Sequence, residues 1–234
     1  GLFNLMRARQ QGWNPPARKT PQRPMTYAEK IIARASDQLP VKPGDALFVQ
    51  TDWRYAHEYN SPLGINALER ATQGQFELSD PSSIIFFGDH LTFIHRSMPQ
   101  ERRQLGMLEL AQTLGQVQER FCKEHGLKLH GLLKDREGSE GISHSIMSER
   151  YVLPGQLAIG TDSHTTHCGA LGALAFGVGS TEMASAWLSS QVRLQVPPTC
   201  RVVLHGELPV GVEAKDIVLH VLRLPYVREG QAIG

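Results

Sequence analysis

Read for the alternation of apolar and polar positions, the chain divides into short apolar runs and stretches of helical period. "TYAEKIIARAS" opens with Thr26 and Glu29 at capping-box spacing and continues with Ile31, Ile32 and Ala35, which predicts a helix ending near Asp37. "ALFVQT" (46–51) reads as a buried strand after a Pro43-Gly44 turn. Ser61 and Pro62 suit the N-cap and first position of a helix running to about Ala71. "SIIFFGDH" (83–90) predicts a second apolar strand, ending on Asp89 and His90. The clearest helical period is in "LGMLELAQTLGQVQERFCKEHG", which turns Leu108, Leu110, Ala111, Leu114 and Val117 inward and stops at Gly126.

Further along, "LKLHGLL" (127–133) predicts a strand, followed by a polar loop from Lys134 to Gly141. "QLAIGT" (156–161) reads as a strand, "TEMASAWLSSQ" as a short helix and "TCRVVLHGEL" as a strand. "EAKDIVLHVLRL" predicts a helix whose leading acidic residues suit the positive end of its dipole. Strands alternating with helices place the chain in the α/β class, with a largely parallel or mixed sheet. No repeat or low-complexity tract interrupts the pattern.

Composition narrows the partners. The 234 residues are 41% apolar and 20% charged, as in an ordinary globular protein, with ample length for a core. The net charge of +1 projects no field toward nucleic acid or an anionic membrane, and no apolar run approaches bilayer length, so neither is expected as a partner. Cys122, Cys168 and Cys200 are odd in number, far apart and without a CxxC, which points to a reducing, cytoplasmic setting rather than a disulfide framework. Residues 1–24 carry Arg7, Arg9, Arg18, Lys19 and Arg23, no acidic residue and four prolines, and read as a basic flexible extension before a folded part that starts at Met25. The missing serine argues against a mitochondrial leader.

Polar residues gather where apolar strands stop: Asp89-His90 after "SIIFF", and Asp162-Ser163-His164 after "LAIGT". The crevice beyond the carboxyl ends of parallel strands is where open α/β sheets bind ligands. His144 in the glycine-bearing "GISHS" loop can join the same pocket. Taken singly, an Asp-His pair is more often a local hydrogen bond, a loop histidine is usually solvated, and His57-Glu58 in "RYAHEYNSP" can simply precede a helix cap. Three such places in one short chain are harder to dismiss. Ser163 lacks the G-x-S-x-G flanks of a nucleophile elbow, and on an extended chain its neighbour His164 would point away from it. Gly177 and Gly179 lie too far from a strand end for a dinucleotide fingerprint. A mononuclear metal site on Asp162, His164 and His144, or His90, remains open and would make the chain a divalent-metal hydrolase.

"GTDSHTTHCGALGALAFGVGSTE" (160–182) resembles the Asp-Ser-His-Thr signature of the aconitase superfamily, closest to its isopropylmalate dehydratase and homoaconitase branch. Three further segments resemble the family in order and spacing: "DWRYAHEYNSP", "GDHLTF" and "GISHSIMSERYVLPGQLAIG". "VEAKDIVLHVL" resembles the segment after the signature helix, so the likeness runs from about residue 25 to 234 as the N-terminal part of a large subunit. It implies an aconitase-type α/β/α fold and a hydro-lyase that moves a hydroxyl between adjacent carbons of a 2-hydroxy di- or tricarboxylic acid, of the isopropylmalate type that serves leucine biosynthesis.

The resemblance also implies roles. His90, held by Asp89, matches the proton donor to the leaving oxygen. His144 and His164 surround the hydroxyl or water, with Asp162 orienting them. Ser163 contacts a substrate carboxylate, and Gln50 or Thr51, His57 and His167 fall near substrate-binding positions; His167 stands where aconitases have Asn. The cofactor implied is a [4Fe–4S] cluster acting as Lewis acid. None of the three cysteines has the family's ligand spacing, so the cluster ligands, the substrate arginines and the serine base are expected outside this chain, along with a small subunit or C-terminal swivelling domain. A cluster-free binding domain of the same ancestry is the non-enzymatic alternative. Alone, the chain is expected neither to hold a cluster nor to turn over.

Overall fold

The structure, a computed structural model, describes residues 10–12, 23–133 and 137–228. The expected basic extension falls mostly outside the described residues; Arg23, which is described, pairs with Glu29 at 2.6 Å. Helix α1 (Tyr27–Ser36) is closed at its start by the reciprocal Thr26–Glu29 capping box and at its end by Asp37 in the left-handed region, as the spacing predicts.

Five strands form one parallel sheet: β2 (Trp53–His57), β3 (Ile84–Phe87), β4 (Lys128–His130), β5 (Leu157–Gly160) and β6 (Leu174–Gly177), in spatial order β4-β3-β2-β5-β6. β1 (Ala46–Gln50) is not part of it. β1 pairs antiparallel with β7 (Gln191–Gln195) in a separate two-stranded sheet. The expected strand over 199–208 is absent: residues 196–212 have no regular structure, and Val202, Val203 and Leu204 are exposed. A β-prone run needs a neighbouring edge to satisfy its backbone, and among the described residues β1 meets the preceding segment instead. Three strands escaped the apolar pattern: β2, which carries Arg54 and His57, β6, which lies in the glycine-spaced stretch after the signature, and β7, whose "QVRLQ" alternates with polar residues.

The central strands β3, β2 and β5 are buried on both faces, because side chains alternate and both sides are covered, while the outer β4 and β6 are buried only in part. One side packs Ala56, Ile84, Phe86, Leu157 and Ile159 under α1, α2 (Ser61–Thr72), α3 (Met107–His125) and α4 (Ser180–Ser189). The other packs Tyr55, Ile85, Phe87 and Ala158 under the helical turns at Ser143–Ile146 and Met147–Tyr151 and the 3₁₀ segment Ser163–Leu171. α2 and α4 approach closely at Gly64, where a Cβ would lie 3.1 Å from Trp187 and from the Ser180 carbonyl.

Two helix details differ from expectation. Ser61 is not the cap of α2: Asn60 holds that place without a side-chain cap bond, and the buried Ser61 hydroxyl donates to Gln118 Oε1 at 2.6 Å. In α3 the buried residues are Gln118, Phe121 and Cys122, while Leu110 is 58% exposed. The cause is length: nineteen residues span about 28 Å, more than twice the reach of three- and four-residue strands, so only the second half of α3 lies over the sheet. Helix α5 (Ala214–Arg223) has the expected acidic start, with Glu213 and Asp216 forming a capping box, and buries no residue. No helix among the described residues is long and apolar enough to cross a membrane.

Candidate active site

All five parallel strands point their carboxyl ends one way, so the polar residues that follow them converge. β3 runs into Gly88, Asp89 and His90, and β5 into Thr161, Asp162 and the 3₁₀ segment. That segment sits directly on the sheet because position 160 is glycine. A Cβ there would overlap Thr165 and lie 2.6 Å from the Tyr55 ring. The ends of β2 and β5 are laced together by His57 N–H to Thr161 Oγ1 (3.3 Å) and Asn60 Nδ2 to the Thr161 carbonyl (3.2 Å).

Asp162, only 3% exposed, is the hub. Its Oδ2 lies 3.1 Å from His144 Nδ1, its Oδ1 3.2 Å from His164 Nδ1, and the same Oδ1 is 3.9 Å from His90 Nε2. Burial pushes its carboxyl up, but hydrogen bonds from His164 and His144 outweigh that and hold it below its ordinary value. An ionised carboxylate only accepts, so both imidazoles donate Nδ1–H to it and keep Nε2 for a bound molecule. Asp89 is a second buried hub. Its Oδ1 is 2.7 Å from His90 Nδ1, and its Oδ2 accepts the Ser143 N–H at 2.6 Å, which ties the His90 turn to the helical turn bearing His144. Burial raises Asp89, while the bonds from His90 and Ser143 lower it by more; the bond to Asp89 in turn raises His90 above its ordinary value against partial burial.

Asp89, His90, His144, Asp162, Ser163 and His164 are thus brought together, and His167 joins them edge-on to His144 at 5.4 Å. Ser163 Oγ is 3.3 Å from His164 Nδ1, because the backbone there is 3₁₀ rather than extended and neighbouring side chains do not diverge. Gln50 and Thr51 do not join. Six residues separate Thr51 from His57 along an extended chain, roughly 20 Å, so they stand at the opposite end of the sheet. There Gln50 pairs with Gln191, and Thr51 donates its hydroxyl to the Ser190 carbonyl at 2.9 Å. His57 is present at the right end but cannot contact substrate directly: it is 2% exposed and covered by His90, the two rings stacking at 3.6 Å and 9°. Burial holds His57 down at about 4, with His90 adding to the effect, so it is neutral at neutral pH.

The pattern of strand ends overlooks two residues. Glu58 accepts the backbone N–H of both Asp89 (3.1 Å) and Leu91, and burial raises its carboxyl against those bonds. His130, buried at the end of β4, bridges Glu140 (2.8 Å) and Tyr151 (2.6 Å). Glu58 stands in the sequence only as the neighbour of His57 in "RYAHEYNSP", and the one sign of His130 is its place in a predicted strand. Behind the 88–91 turn lies a largely apolar cavity of about 370 Å³ that includes Glu58 but none of the six clustered residues.

Among the described residues, two groups have ligand atoms close enough to share a cation: His144, Asp162 and His164, and His57, Glu58 and His90. In the second the parallel rings offer parallel lone pairs, so an ion in the plane of one lies out of the plane of the other, and the Glu58 oxygens already hold backbone amides. The iron–sulfur cluster that the resemblance implies does not fit the cysteines of this chain. Cys122 and Cys168 are buried in cores on opposite faces of the sheet, and Cys200 is exposed in the irregular segment beyond β7.

A profile of the aconitase family (aconitate hydratase) matches residues 29–232. Among similar proteins are the 3-isopropylmalate dehydratase large subunit of Elusimicrobium minutum, 35% identical over 85% of this chain and 43% of that protein, and large subunit 1 of Methanopyrus kandleri, 35% identical over 84% and 42%. The chloroplastic large subunit of Arabidopsis thaliana is 30% identical over 85% of this chain and 38% of its own length. The chain therefore spans less than half the length of these relatives.

Proposed function

The chain belongs to the aconitase family, and from that premise we propose that it forms part of a hydro-lyase acting on a 2-hydroxy di- or tricarboxylic acid, of the 3-isopropylmalate dehydratase type. One observation carries the reading. His90 has Nδ1 tied to Asp89 at 2.7 Å, while its Nε2 is 3.9 Å from Asp162, too far for a hydrogen bond. Among the described residues Nε2 therefore makes no hydrogen bond and faces the shared cluster, and the bond to Asp89 favours the protonated ring that would carry a proton there. Loss of hydroxide needs such a donor beside the departing oxygen, with its tautomer fixed from behind.

The other residues then have definite work. Asp162 fixes the His144 and His164 rings, whose remaining nitrogens hold the hydroxyl or the water that replaces it. Ser163, exposed beside His164, donates to a substrate carboxylate, and His167 borders the same space. The [4Fe–4S] Lewis acid and its cysteine ligands come from outside these 234 residues, as do a small subunit or swivelling domain that closes over the acid; the "large subunit" names of the relatives support that partner.

The test is to produce the longer protein with its small-subunit partner under anaerobic conditions, and to follow hydration of the cis-alkene diacid derived from 3-isopropylmalate beside cis-aconitate. Turnover together with iron and sulfide supports the reading. Bound zinc with hydrolase activity would replace it by a metal-dependent hydrolase on Asp162, His144 and His164, and substrate binding without metal or turnover would leave a binding domain.

A further inference from the structure

We propose that His57 and Glu58, at the end of β2, form a seat that holds His90 in its working position, a role that rests on reading His90 as the proton donor. Consecutive side chains leave an extended strand on opposite sides. The His57 ring passes to one side of the 88–91 turn and lies flat against His90, 3.6 Å away and 9° from parallel. The Glu58 carboxylate passes to the other side and clasps the main chain on both flanks of His90, through the N–H groups of Asp89 and Leu91.

His57 offers little besides its face. Its Nδ1 is buried without a hydrogen-bond partner among the described residues, and its Nε2 meets Asn60 Nδ2 at 3.4 Å, a long contact. Leaving a ring nitrogen buried and unpaired costs free energy that an apolar side chain would avoid, so simple core filling does not explain it. What the ring does provide is a flat, neutral surface against which the His90 imidazole cannot swing. Glu58 complements it by fixing the backbone from which His90 projects. With both in place, Asp89 Oδ1 meets His90 Nδ1 and Ser143 meets Asp89 Oδ2, so the direction in which Nε2 points is fixed. A displacement of about 1 Å at such a donor is enough to cost on the order of 10²-fold in rate.

The test uses three variants, His57→Phe, His57→Leu and Glu58→Gln, in two settings. In this chain, the His90 Nδ1–H resonance, hydrogen-bonded to Asp89 and slow to exchange, is followed by proton and nitrogen-15 NMR. Phe should keep it, since a ring face remains. Leu and Gln should lose it while the far-UV dichroism and cooperative melting persist. In the longer, cluster-loaded protein, Leu and Gln should lower kcat about 10²-fold and leave KM within a few-fold, with Phe closer to the parent than Leu. If His57→Leu does not fold, Glu58→Gln decides alone. Retention of both the resonance and kcat in Glu58→Gln overturns the proposal, as does a Phe variant as impaired as Leu, because an imidazole nitrogen would then be what matters. Absence of any hydro-lyase turnover in the parent removes the functional reading, and the resonance comparison still judges the seat.

Discussion

Arg54 and His57 stand three residues apart on β2, on opposite faces of the same sheet, and both are buried. Arg54 is 0% exposed, and its terminal nitrogens donate to the Ala186 carbonyl (2.8 Å), the Asp80 carbonyl (2.9 Å) and Ser83 Oγ. Burial pulls it down to about 10, so it stays charged at neutral pH and ties the end of α4 to the turn before β3. His57 sits under a layer of imidazoles that still reach solvent: the side chain of His90 is 36% exposed and that of His164 68%, each bound to a carboxylate only 3% exposed. A buried charge alone is therefore no mark of a site. Arg54 spends both terminal nitrogens inside the protein, whereas Asp89 and Asp162 spend their carboxylate oxygens on holding groups whose outer atoms remain available.

The sharpest way to break this contrast is His90→Ala in the longer enzyme. It should lower kcat by about 10²–10⁴-fold while barely changing the stability of the folded chain. Reduced melting with normal turnover of the folded fraction would make the cluster a structural clasp like Arg54. Next in size, Arg54→Ala should cost about 3 kcal/mol or more in urea unfolding, since it opens a cavity and removes the three hydrogen bonds to Ala186, Asp80 and Ser83. A loss under 1 kcal/mol would show that the larger face does not need its cation.

His57 gives the third comparison, through pH. Its folded value of about 4 lies below the ordinary 6.5, so the unfolded chain binds the proton first. The stability it contributes is complete above pH 6.5 and drains away as pH falls toward 4, on the order of 3 kcal/mol in all. His90, raised above its ordinary value, works with the opposite sign: its contribution is present at low pH and is lost as pH rises through its folded value. Unfolding free energies of the parent and His57→Phe between pH 4 and 7 should show a flatter curve for the variant; parallel curves would refute the assignment. The smallest effect is expected for Ser163→Ala in the longer enzyme. KM should rise several-fold, about 1 kcal/mol of lost binding, with kcat little changed, because a carboxylate contact is made in ground and transition states alike. A loss confined to kcat would move Ser163 into the chemical step.

Much of the site was legible before any coordinates because it lies where local patterns end. Asp89-His90 and Asp162-Ser163-His164 follow apolar runs, and such runs stop at a sheet edge where polar groups can be served. β2 was not legible, because Arg54 and His57 interrupt the apolar run that a strand buried on both faces normally shows. The place of Glu58 beside His57 was visible but its work was not: its partners are backbone amides thirty-one and thirty-three positions away, which leave no trace in side-chain spacing. The 199–208 stretch misled in the opposite direction, with β-prone residues and no strand beside them.

By itself, the sequence determined whatever depends on residues within a turn or two of each other: the capping boxes at Thr26 and Glu213, the stop at Gly126, and the polar residues after β3 and β5. Tertiary structure alone decided the strand order β4-β3-β2-β5-β6, and with it that residues 57, 90, 144 and 164 share one place while Gln50 and Thr51 stand at the far end. Periodicity shows that a face is buried but not against what, since pairing between distant strands is chosen by the packing of the whole core. Asp162 is the hub of three histidines because β5 lies beside β2 and β2 beside β3.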